Sequence, residues 1–220
     1  MLAQAAASSA APSGVALQIA LGLAALTLLP AVIMSITPFL RITLVLHFLR
    51  QAIGTQTVPS NQVLAGLALF LTAILVGPLA AELNDSAWRP YSNGQISAEA
   101  AIGRATPGVR AYLLRFAREK DLALMVELAK IPSPKSPEDL PLTVIAPAYT
   151  LSELRAGFQI GAVLFLPFLV IDLIVASVTL SVGMVQLPPA MVSAPFKILV
   201  FVLADGWNLV VGSLVRSMSR

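Results

Sequence analysis

The stretch Gly183-Met184-Val185-Gln186-Leu187-Pro188-Pro189 separates two long apolar segments, residues 156–182 and 196–215, and its reading decides the fold. At about 1.5 Å of rise per residue, the first segment is long enough to cross the roughly 30 Å hydrocarbon core of a bilayer as a tilted helix. It carries one charge, Asp172. Between the segments Gly183 has no side chain, and Pro188-Pro189 remove two backbone donors while fixing two φ angles. Continuing one helix through this point is costly, so the expected structure is a helical hairpin.

Composition sets the class around that hairpin. Of 220 residues, 57% are hydrophobic and 11% are charged, with a mean hydropathy of +0.86. Soluble proteins carry about 25% charged residues, so the chain is expected to be an all-α integral membrane protein. It has no cysteine, which excludes disulfides and thiolate metal sites, and one histidine, His47, which by itself makes no multi-histidine site. Neither a metal nor any other cofactor is expected, and no nucleophile is paired with a base as an enzyme would need. The net charge of +3 is dispersed, which argues against a nucleic-acid surface.

Four regions follow from the pattern along the chain. Residues 1–14 are rich in Ala and Ser, uncharged, and expected to be a disordered tail. Ala3-Gln4-Ala5 resembles the small-residue end of a secretory signal, but the first basic residue is Arg41. Two readings stay open: the numbering begins near a processed terminus, or the first apolar segment itself directs targeting.

Residues 15–81 hold hydrophobic helices. The run 15–40 is interrupted by Pro30 and Pro38, and residues 41–62 bring Arg41, His47 and Arg50 without an acid, a short basic connection that the positive-inside rule places in the cytoplasm. Ile42, Val45, Leu46 and Leu49, set against Arg41 and Arg50, give that stretch an amphipathic pattern, so it is expected to continue the preceding helix. His47 is expected to be a packing residue. Gly54-Thr55-Gln56-Thr57-Val58-Pro59 breaks the helix before a second run, 63–81, in which Gly66 and Gly77 would allow close helix approach.

Residues 82–147 form a polar helical insertion. Thr106-Pro107 reads as an N-cap followed by proline at the first helical position, opening one amphipathic helix over 107–130. Pro132, Pro134, Pro137 and Pro141 then predict an extended loop. Residues 148–220 make the hairpin. Asp172, Lys197 and Asp205 lie in its apolar segments as buried charges, where each needs a partner or water.

The chain resembles the FliP family, core subunits of the flagellar type III protein export gate, with a virulence-secretion counterpart called SctR. Stretches in family order carry the resemblance: Phe48-Leu49-Arg50-Gln51-Ala52-Ile53-Gly54-Thr55-Gln56, Pro59-Ser60-Asn61-Gln62, Arg118-Glu119-Lys120-Asp121-Leu122, Phe158-Gln159-Ile160-Gly161, Pro167-Phe168-Leu169-Val170-Ile171-Asp172 and Asp205-Gly206-Trp207. The wording of residues 50–56 favours the flagellar type.

That resemblance implies a homo-pentamer which, with FliQ and FliR, builds a conical helical assembly around a channel for unfolded export substrates. FlhA and FlhB are the further partners it implies. The setting is the bacterial inner membrane at the flagellar basal body, with lipid contacts and a periplasmic insertion, and with much of the core above the membrane plane. It further implies an ion pair between Glu153 and Lys197, within or between subunits. The hairpin loop would be a methionine-rich gate closing the channel, and the matching positions here are Met184, Val185 and Gln186, so one methionine remains. A small-solute secondary transporter, working through broken helices and midplane charges, is the alternative from another class.

Overall fold

The computed structural model describes residues 13–55, 57–132, 136–183 and 188–218, and those residues are helical with no strand among them. The helices are α1 (Ser13–Ser35), α2 (Phe39–Ile53), α3 (Asn61–Leu83), α4 (Arg89–Ser92), α5 (Ala98–Phe116), α6 (Glu119–Ala129), α7 (Leu142–Ser181), α8 (Pro189–Leu203) and α9 (Gly206–Met218). A π-helical turn, Asn84–Trp88, runs α3 into α4, and a short 3-10 turn, Pro137–Asp139, precedes α7. Residues 1–12 of the expected tail lie outside the described residues, and α1 already includes Ser13 and Gly14.

Local signals set the ends of these helices. Gly54 takes a positive φ of 87° and its N–H returns to the Gln51 carbonyl, closing α2. Ser60 then opens α3, its hydroxyl accepting from the Val63 N–H at 3.4 Å. Ser97 does the same for α5 through the Ala100 N–H at 3.2 Å.

Helix α7 is the shaft of the molecule. Its 40 residues extend for about 60 Å, twice a hydrocarbon core, so the whole of it cannot lie within one. Its first half packs on the insertion, where Val144, Ile145, Ala148 and Tyr149 join Leu113 and Leu122 in one buried cluster. Its second half packs on the membrane-type helices, where Phe168 joins Ile42, Leu46, Leu64, Phe201 and Leu214 in another.

Helices α2 and α7 cross closely. A Cβ on Gly157 would meet Leu44 at 2.8 Å, and one on Gly161 would meet the Phe48 ring at 2.3 Å. The pair, spaced four apart, forms the notch that lets the two helices touch. Gly66 and Gly77, where close approach was expected, face open space in the single chain.

Several expectations are corrected. The first apolar run and the basic stretch after it are two helices, broken at residues 36–38. Pro30, Pro78, Pro107, Pro147, Pro167 and Pro195 lie inside helices, so prolines at 107 and 147 do not mark the boundaries assigned to them. The expected helix over 107–130 is instead α5 and α6, and Thr106 is mid-helix, its hydroxyl donating to the Ile102 carbonyl at 2.8 Å. The shaft starts at Leu142, inside the stretch read as insertion. The apolar segment 196–215 is likewise divided: α8 and α9 meet at a 65° bend, with Asp205 at the positive φ of 49°.

Among the described residues three helices are long and apolar enough to cross a membrane, Ala16–Ser35, Asn61–Ser92 and Leu142–Ser181, or up to four crossings if the bent α8 and α9 count as one. Their apolar surface is largely uncovered in the single chain: 0%, 22% and 17% of their apolar windows are buried.

Candidate functional site

The two cores meet at a polar belt on α7 formed by Ser152, Glu153 and Arg155. Glu153 is completely buried, and α2 brings Arg41 to it across a sequence separation of 112 residues, so that Arg41 Nη2 donates to Glu153 Oε1. Arg41 Nη1 also donates to Ser217 Oγ at 3.4 Å, which ties α9 into the same site. One buried bridge thus joins three helices.

The other side of the belt holds α6. Asp121 is 1% exposed; it takes a salt bridge from Arg155 at 2.9 Å and a hydrogen bond from Ser152 Oγ at 2.7 Å. Ser152 Oγ in turn accepts from the Arg118 N–H at 2.9 Å, and Arg118 Nη2 donates to Gln159 Oε1 at 2.7 Å. These contacts explain the break between α5 and α6. The Arg118 N–H leaves the helical ladder for Ser152, and Asp121 sits in the first turn of α6, where a negative charge suits the helix dipole. Burial lifts the phenol of nearby Tyr112 above its ordinary value, so it remains a protonated packing group.

This belt carries a prediction. Asp121→Ala should remove charge-assisted bonds that typically contribute about 1.5–3 kcal/mol and leave the Ser152 O–H without its acceptor. Amide hydrogen exchange should quicken over residues 119–129 while α2 stays protected; unchanged exchange in α6 would show that the belt does not hold it.

A second staple lies farther along the shaft. Lys197 Nζ binds Asp172 Oδ2 at 2.6 Å, and Ser193 Oγ donates to Asp172 Oδ1, fixing α8 against α7 near the hairpin bend. Lys197 and Ser193 are buried, whereas Asp172 is half-buried.

The Glu153–Lys197 ion pair, expected within or between subunits, is not formed within the chain, where Glu153 pairs with Arg41 and Lys197 with Asp172. The reason is reach: Glu153 stands about 28 Å above Asp172 along the shaft at 1.5 Å per residue, and α8 ends at the Asp205 bend before attaining that level. Arg41 was read as a basic connection and is instead core; its signal was present in the amphipathic spacing of α2, which includes it on the buried face.

Asp205 is not a buried charge in this chain. It is exposed at the α8–α9 bend and accepts from Asn208 Nδ2 at 3.1 Å. His47 is a packing residue whose Nδ1 donates to the Thr43 carbonyl at 2.7 Å. Met184, Val185 and Gln186 lie outside the described residues.

Fold and site together define an all-helical protein of membrane type, built on one long shaft stapled at two levels by buried charges. The chain belongs to the FliP family, whose defining pattern matches residues 22–214. It is 51% identical over 195 residues to the flagellar biosynthetic protein FliP of Pectobacterium carotovorum subsp. carotovorum, covering 89% of this chain and 76% of that one. Over 188 residues it is 47% identical to the flagellar biosynthetic protein FliP of Bacillus subtilis (strain 168), covering 86% and 85%. The protein of that name from Caulobacter vibrioides (strain ATCC 19089 / CIP 103742 / CB 15) is 48% identical over 195 residues, covering 89% and 73%.

Proposed function

We propose that this chain is a structural subunit of the flagellar protein export apparatus, several copies of which surround a channel for unfolded export substrates. The observation that carries the reading is the uncovered apolar surface of α1, α3 and α7 in a chain whose buried charges already pair within it. Such surface requires lipid or other helices. Sister copies, five by the family resemblance, together with FliQ and FliR cover it, and the shaft's excess length carries the insertion clear of the inner membrane on the periplasmic side. FlhA and FlhB act with the assembled core. The role is architectural, not enzymatic, and the relatives' shared name supports the flagellar system over a virulence one.

Residues 184–186 form the gate in this reading. An unbranched thioether packs without a fixed shape, so Met184 contributes an adaptable seal, with Val185 and Gln186 completing it. Deleting residues 184–186 is expected to raise small-ion leakage across the inner membrane in cells that still assemble the complex. An unchanged leak in a complex of normal copy number would overturn the gate. A purified particle containing a single copy would overturn the channel itself.

A further inference from the structure

The polar insertion carries two apolar features that neither core uses. The first is a groove of about 350 Å³ between the π-turn, α4 and the first half of α5. Its floor is small, with Ala98, Ala101 and Ala105, and its rim is large, with Trp88 63%, Tyr91 42% and Ile102 68% exposed. The second is a ridge on α6, where Leu124 and Leu128 stand one turn apart, 41% and 66% exposed. Asp121 and Leu122 fix α6 to α7, while Leu124 and Leu128, on the flank of α6, stay exposed beside that contact.

We propose that the ridge of Leu124 and Leu128 on one copy of this chain seats in the Trp88, Tyr91 and Ile102 groove of the next copy. The proposal rests on the multi-copy reading above and names the surface through which the insertions join. Shape supports it: alanines leave room at the floor, two protruding leucines fill it, and aromatic residues form the rim, as in well-packed interface centres. Charge supports it as well. The ridge helix carries exposed Glu119, Lys120 and Glu127, and the elements of the groove carry exposed Asp85, Arg89, Glu99 and Arg104, so each side offers the other charges of both signs.

Lipid is a poorer occupant of the ridge. Helix α6 has 11 residues, too few to cross a bilayer, and Glu119, Lys120, Asp121 and Glu127 are among them. Because groove and ridge are different surfaces of the same chain, the contact is head to tail. Repeated with closure it makes a ring, whereas a self-complementary patch would stop at a dimer.

The absence of cysteine from the sequence gives a clean test. A full-length chain carrying both Ile102→Cys and Leu128→Cys, oxidised in the membrane, should give a ladder of covalently joined copies. Co-expressing one chain with only Ile102→Cys and another with only Leu128→Cys should give pairs and nothing larger. Leu128→Cys chains that link to each other in pairs would overturn the head-to-tail contact. So would the absence of any link in a particle shown by native mass spectrometry to hold several copies. A particle with one copy would overturn the multi-copy reading and this surface with it, which separates the two failures.

Discussion

Arg41→Met is expected to destabilise the protein by about 3–5 kcal/mol, the usual consequence of removing one partner of a buried ion pair. Glu153 would be left as a carboxylate with no exposure, and α9 would lose its bond from Arg41 to Ser217. Adding Glu153→Leu should recover most of that loss, because two apolar side chains of similar volume avoid the desolvation that the pair overcomes. The measurement is the thermal unfolding midpoint of the detergent-solubilised assembly, with wild type, both single variants and the double variant compared. A single Arg41→Met variant as stable as wild type would mean that Glu153 has another partner, and the staple would lose its standing.

Gly161→Ala is the second large effect. Its Cβ would lie 2.3 Å from Phe48 Cδ2 and 2.6 Å from Cγ. The ring has little freedom to retreat, since Phe158 and Phe165 hold it edge-on with centroids 5.4 and 5.9 Å away. Overpacking of this kind costs about 1–3 kcal/mol and separates α2 from α7. Gly157→Ala should do less, because the atom in its way, at 2.8 Å, is the terminal Leu44 methyl carbon Cδ2, which can swing aside. Loss of assembled particles ranked Gly161→Ala above Gly157→Ala is the expected result; the reverse ranking would overturn the notch.

Much of this architecture is legible in the residues, and the misses share one cause. The break at Gly54 is written locally, in a left-handed C-cap, and stands where the sequence puts it, whereas the serine N-cap at Ser60 starts α3 a little ahead of the run read as 63–81. The division between α5 and α6 is not written locally. It depends on the Arg118 N–H finding Ser152, a residue 34 positions away, and no periodicity in 107–130 announces that. The partner of Glu153 is equally remote, because it is set by where α2 crosses the shaft. Proline misled for a related reason: six prolines end no helix here, since packing and the remaining ladder outweigh one missing donor. The α8–α9 bend did leave a trace in Gly206, yet apolar length outvoted it.

That bend also governs sidedness. If all three long apolar helices cross and the α8–α9 pair, with its 65° corner, does not, the number is odd and Ser13 and Met218 belong to opposite compartments. If α8 and α9 act as one crossing the number is even, and both belong to the same compartment. The geometry at one aspartate thus separates two possible destinations for the end of α9.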